Sequence, residues 1–73
     1  MNSQDMSEPA VEQLEALVQR RLHGQVRNLH LSMGDQGFTL KGQTSTYYVK
    51  QLAQHAVMEI TGLAILANEI EVR

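Results

Sequence analysis

The sequence predicts an α+β fold, a two-layer α/β sandwich with the element order helix, strand, strand, helix, strand. Two segments carry apolar residues at helical spacing, and three segments alternate apolar and polar residues as half-buried strands do. Glycines separate these segments, as is usual at turns. Because each element has one apolar side, we expect a three-stranded sheet with both helices on one face.

The first predicted helix follows a polar leader at residues 1–7. Ser7 is placed to cap this helix, and Pro9 fits its first turn, where a missing amide proton costs nothing. Gly24 predicts the turn that ends it. The apolar stripe, with residues three or four apart, consists of Val11, Leu14, Leu17, Val18 and Leu22.

The next two segments predict a β-hairpin. Gly37 belongs to its turn at residues 34–37, where two glycines accept positive φ cheaply. Gly42 is predicted to end or to kink the second arm. The alternating apolar residues are Leu29, Leu31 and Met33 in the first arm and Phe38 and Leu40 in the second.

The second helix has the most regular amphipathic pattern. The segment Thr44-Ser45-Thr46 offers its N-cap, and Gly62 marks its end. The apolar stripe consists of Val49, Leu52, Ala53, Ala56, Val57 and Ile60.

The last strand is expected at about residues 64–72. Leu66, Ile70 and Val72 share one parity and are expected to face the core. Lys41 is expected to neutralise neighbouring glutamates across the sheet as a solvated ion pair. The other sheet face is then expected to carry His30, Thr39, Lys41, Ile65, Glu69 and Glu71.

Length and composition bound the class of protein. The 73 residues suffice for one small domain, which we place at residues 8–73. The absence of cysteine excludes disulfide frameworks and thiol nucleophiles. A net charge of −2 argues against a general nucleic-acid binder, so no nucleic-acid partner is expected. The sequence has no recognisable signal peptide or transmembrane segment, which predicts a cytoplasmic location.

No set of residues has the pattern of a catalytic or metal site. The three histidines, His23, His30 and His55, lack ligand spacing, so no metal is expected. No serine lies in an elbow motif, and the glycine turn at 34–37 lies between strands rather than before a helix. The sequence therefore predicts a protein without cofactor and without enzymatic activity.

Two glycine-bounded motifs resemble those of the BON domain family. Gly37-Phe38-Thr39-Leu40-Lys41-Gly42 resembles that family's hairpin, which usually has valine where Phe38 stands. The segment that starts at Gly62-Leu63 resembles its closing strand through Leu66, Asn68, Ile70 and Val72. The resemblance covers residues 11–72. Two further positions depart from the family pattern: Thr44 stands where an apolar residue is common, and Leu63 stands where valine is usual.

The resemblance implies the same fold, no catalysis, and binding of phospholipid or attachment at a cell envelope, where family members are often periplasmic. Arg20, Arg21 and Arg27 form the basic cluster with which we expect anionic lipid to interact. Tyr47 and Met58, on the outer side of the second helix, are the candidate apolar contact. The alternative is a protein-interaction or self-assembly module that uses the open sheet face or a strand edge.

Overall fold

The computed structural model describes residues 8–73 and confirms the predicted fold class and element order. The elements are α1 (Glu8–Arg21), β1 (Arg27–Gly34), β2 (Gly37–Thr44), α2 (Tyr47–Thr61) and β3 (Ile65–Val72). The predicted leader at residues 1–7 and its capping residue Ser7 lie outside the described residues.

The sheet has the strand order β1-β2-β3, with β2 in the centre. β1 and β2 pair antiparallel through the tight turn in which Gly34 faces Gly37. β2 and β3 pair parallel, which requires a crossover, and α2 supplies it. β1 and β3 therefore form the two edges of the sheet.

One hydrophobic core joins both helices to alternate residues of the strands. Leu17 departs from the predicted stripe, since it is 49% exposed. It lies about 100° around α1 from the fully buried Val18, which turns it away from the sheet. The buried apolar residues are Leu14, Val18 and Leu22 of α1, Val26, Leu29, Leu31, Phe38, Leu40 and Ile70 of the sheet and the loop before it, and Val49, Ala53, Ala56 and Val57 of α2.

The start of β3 contradicts the predicted alternation. Phe38 is opposite Ile65, but Thr39 is opposite Ala67, so one residue of β3 is left over between these pairs. Such a bulge exchanges the sides on which residues lie. Ile65 consequently packs against the core, whereas Leu66 is 58% exposed. The predictions that Ile65 lies on the open face and Leu66 in the core are both wrong.

Gly42 lies inside β2, which continues to Thr44, so Gly42 does not end the strand. Its φ is +153°, and an added Cβ would lie 2.9 Å from the carbonyl oxygen of Arg27 and 2.8 Å from Val26 Cγ1. The pairing of β1 is irregular at this level, between Arg27 and His30. Glycine here allows the first residues of β1 to approach β2 closely.

Among the three predicted capping residues of α2, Thr46 is the N-cap. Its Oγ1 accepts a hydrogen bond of 3.1 Å from the Val49 amide. Gly62 ends the helix at φ +70°, and its amide donates to the Met58 carbonyl at 2.8 Å. Thr44 instead ends β2, with only 1% of its surface exposed.

Candidate functional site

Two loops that are distant in sequence meet at the N-terminal end of α2. One connects α1 to β1, and the other connects β2 to α2. Between them lies an open cleft of about 370 Å³. Its lining residues are Gly24, Gln25, Arg27, Thr44, Ser45, Thr46 and Val49.

The loop from α1 to β1 is held to α1 by hydrogen bonds. Gln19 donates from Nε2 to the Val26 carbonyl at 2.6 Å, and the Gly24 amide donates to the Gln19 carbonyl at 2.9 Å. His23 and Gly24 have φ values of +56° and +70°, which turn the chain sharply after the helix. This geometry fixes the position from which Arg27 enters β1 beside the cleft.

The electrostatics of the cleft favour an anion. Arg27 is the only charged residue in its lining, and no carboxylate of the described chain forms an ion pair with it. The first turn of α2 contains no acidic residue. Because the N-terminal amides of a helix carry partial positive charge, the helix end and Arg27 act in the same direction.

The predicted basic cluster is divided in the structure. Arg21 Nη1 pairs with Glu59 Oε1 of α2 at 2.5 Å, so its charge is balanced. Arg20 is exposed in the last turn of α1 and pairs with no described carboxylate. Arg27 lies at the cleft. Of the three arginines in the predicted cluster, Arg20 and Arg27 have no carboxylate partner among the described residues and can interact with an external anion.

The candidate apolar residues of α2 lie on the flank that faces β3. Tyr47 is 62% exposed and Met58 is 43% exposed. A rotation of about 100° per residue places both on the same side as Gln54. This side borders β3, because Asn68 Nδ2 donates to Gln54 Oε1 at 3.3 Å and to the Lys50 carbonyl at 2.9 Å. Tyr47 and Met58 therefore share one flank, at opposite ends of the helix.

Sequence reasoning missed a second tyrosine at the start of α2. Tyr48 is 68% exposed, the largest value among the exposed large hydrophobic residues. The helical period places it on the flank of α2 that faces α1, the side on which Glu59 meets Arg21. The helical rotation of about 100° per residue, which places Tyr47 outside the apolar stripe of α2, also places Tyr48 outside it. Together the two tyrosines project from both sides of the helix start.

A second open cleft of the described residues, between α1 and β1, carries negative charge. The groove between α1 and β1 is lined by Glu12 and Glu15 together with His30. Glu15 Oε2 accepts a hydrogen bond of 2.8 Å from the Leu31 amide, so it covers part of the free edge of β1. This carboxylate also lies 3.8 Å from His30 Nδ1. An anionic ligand would be repelled here.

The open face of the sheet contains balanced ion pairs. Lys41 Nζ lies 3.9 Å from Glu69 Oε1, as the sequence predicts, and Arg73 Nη2 lies 2.6 Å from Glu71 Oε1. Among residues 8–73 no three histidine, cysteine or acidic side chains come together to hold a metal ion. Neither helix of this part of the chain has the length and hydropathy needed to cross a membrane.

Comparison with known proteins gives no relative of this chain. No family model, no curated protein and no solved structure matches it.

Proposed function

We propose that this domain is a non-catalytic binding module that contacts anionic phospholipid through the N-terminal end of α2. The observation that carries the proposal is the juxtaposition of two exposed tyrosines, Tyr47 and Tyr48, with a helix start that lacks acidic residues and with Arg27. The BON-like motifs described above support the same class of ligand.

The two kinds of residue fit a membrane interface in complementary ways. Tyrosine has an apolar ring and a polar hydroxyl, and it concentrates at the level of the lipid headgroups. A basic residue near an anionic membrane contributes about 1 kcal/mol. Since the chain has a net charge of −2, binding is favoured in an orientation in which Glu12 and Glu15 of the cleft between α1 and β1 face away from the lipid.

We expect vesicle binding to depend on Arg20 and Arg27. Replacing both with glutamine removes about 2 kcal/mol of attraction, which corresponds to a roughly 30-fold weaker partition onto anionic vesicles. Co-sedimentation with phosphatidylglycerol vesicles at low salt measures this change. Phosphatidylcholine vesicles should bind little of the wild-type protein, and added salt should weaken the binding to anionic vesicles.

The matched control removes the same charge elsewhere. Lys41→Gln with Arg73→Gln also deletes two cations, but both belong to ion pairs on or beside the open sheet face. This variant should bind anionic vesicles nearly as well as the wild type. Equal losses in the two double variants would show that net charge alone drives binding, and a wild type that ignores anionic vesicles at low salt would refute the proposal.

A second candidate function is self-assembly or protein interaction at the edge formed by β3. The supporting observation is that Leu66 is 58% exposed and Leu63 is 42% exposed, at the start of an edge strand. Such association should depend on protein concentration and be independent of lipid. Sedimentation velocity of the wild type and of Leu66→Ser distinguishes it, because only self-assembly through this edge makes Leu66 necessary.

A further inference from the structure

We infer that the groove between α1 and β1 binds an extended, positively charged peptide segment of another protein, which adds as a strand beside β1. β1 is an edge strand of the sheet, and its free side borders an open cleft of about 420 Å³. The cleft contains none of the residues assigned above to lipid contact, so the inference is independent of the proposed function. Its lining consists of Val11, Glu12 and Glu15 of α1 and His30, Leu31, Ser32 and Met33 of β1.

The backbone of β1 provides hydrogen-bonding groups on the free side of the strand. In an antiparallel pair, the backbone groups of successive residues point alternately toward the neighbouring strand and away from it. The Leu31 amide donates to Glu15 Oε2 at 2.8 Å and therefore points away from β2. Since the pairing is regular from His30 to Gly34, the Leu31 carbonyl and both backbone groups of Met33 point to the same free side. An added strand can pair with these groups, because no strand of the described chain lies there.

α1 forms a wall of the groove whose side-chain spacing matches that of a strand. Gln19 donates to the Val26 carbonyl, and Glu15, one turn earlier in α1, accepts from Leu31, which lies further along the chain. α1 and β1 therefore run in opposite directions along the groove. Val11 and Glu15 are about 6 Å apart along the axis of α1. Because residues two apart in a strand lie on the same side at about 6.8 Å, an added strand can direct one side chain to Val11 and the next on that side to Glu15.

The charge of the groove selects a basic partner. The side chain of Glu15 is only 20% exposed, and its one ionisable neighbour within 4 Å among the described residues is His30. Glu12 forms no ion pair with a described lysine, arginine or histidine. A lysine or arginine of an added strand would meet a partly desolvated carboxylate at Glu15, where an ion pair is stronger than on an open surface.

The same features disfavour other occupants of the groove. Anionic lipid and nucleic acid are repelled by the two glutamates. A second copy of the chain that paired β1 with β1 would bring its own Glu12 and Glu15 into the interface, where like charges oppose association. A small cation would use the carboxylates alone, whereas a basic peptide also pairs with the free backbone groups of Leu31 and Met33.

The test is an amide chemical-shift titration with a synthetic peptide that repeats Lys-Thr-Val-Thr, which places lysine and valine two positions apart on one side of a strand. We expect saturable shifts in residues 11–15 and 30–33. Two further peptides carry N-methyl groups either on the lysine and valine amides or on the threonine amides. At least one of them should bind about 10-fold more weakly, since it keeps the charge but loses the pairing with β1. A peptide with glutamate in place of lysine should not bind.

Variants of the domain test the role of the two carboxylates. Glu15→Gln removes the charge but keeps an acceptor for the Leu31 amide, and together with Glu12→Gln it should weaken binding of the lysine peptide about 10-fold. The matched control, Glu69→Gln with Glu71→Gln, deletes two charges of the open sheet face and should change the affinity less than about 2-fold at an ionic strength of about 0.15 M. Glu12 is exposed, so Glu12→Gln alone, with an expected loss of about 3-fold, replaces the double variant if Glu15→Gln disturbs the strand edge.

Four results would overturn the inference. Equal losses in the two double variants, or undiminished binding of both N-methylated peptides, would show that charge alone attracts the peptide. Shifts confined to β3 would place strand addition at the other edge of the sheet. Shifts in residues 30–33 that depend on protein concentration without peptide would assign the groove to a second copy of the chain. Absence of binding at millimolar peptide would show that the groove does not accept a basic strand.

Discussion

Replacing Phe38 with alanine is expected to remove a large part of the stability of the domain. Phe38 is fully buried in the central strand and heads the largest fully buried side chains of the core. Such a truncation costs about 3–5 kcal/mol, because it loses the burial of the ring and leaves a cavity. A domain of this length has a total stability of about 4–11 kcal/mol. Urea unfolding followed by circular dichroism measures the loss.

Met33→Ala is the matched control for this substitution. Met33 is the register partner of Phe38 across the hairpin, but 42% of its surface is exposed. Its replacement should cost less than about 1 kcal/mol, since little buried contact is lost. Similar losses of stability in the two variants would contradict the finding that Phe38 lies in the core and Met33 does not.

Gly37→Ala is expected to be the second most disruptive change. The φ of Gly37 is +144°, and an added Cβ would lie 2.5 Å from the carbonyl oxygen of Ala64. That oxygen accepts from the Phe38 amide at 3.0 Å, so relief of the clash must move the start of β3 away from β2. Backbone strain and the clash together cost about 3–5 kcal/mol.

Gly24→Ala separates the steric clash from the effect of positive φ alone. Gly24 has φ +70°, but an added Cβ there would meet no atom within 4 Å. We expect a cost of about 1–2 kcal/mol, which is typical of the left-handed conformation in a residue with a side chain. Urea unfolding of the two variants gives the comparison. An equal loss of stability in Gly37→Ala and Gly24→Ala would contradict the close approach of β2 to the start of β3 at Gly37.

Periodicity predicted the elements of this fold well because burial is one-sided in each of them. The stripe of α2 from Val49 to Ile60 faces the core as the spacing predicted. Alternation failed at Ile65 and Leu66, since a bulge exchanges the two faces of a strand and has no sequence signal of its own. Leu17 was misplaced because the width of the buried stripe on α1 depends on its neighbours.

The candidate site was harder to predict because tertiary contacts define it. The pair of Arg21 and Glu59 joins residues 38 positions apart, and no local pattern indicates it. The cleft lies between the loop that precedes β1 and the loop that follows β2, so the residues that line it can be identified only from the fold. Thr44 belongs to the segment that the sequence offers as the cap of α2, whereas in the structure it is buried at the end of β2 and Thr46 is the cap.

The most direct test of the proposed function is an amide chemical-shift titration of the wild-type protein with bicelles that contain anionic phospholipid. The predicted result is a set of shifts at Arg20, at residues 24–27 and at residues 45–48, which is absent with purely zwitterionic bicelles. Shifts confined to β3, or no shifts with anionic lipid at low salt, would contradict membrane contact through the start of α2.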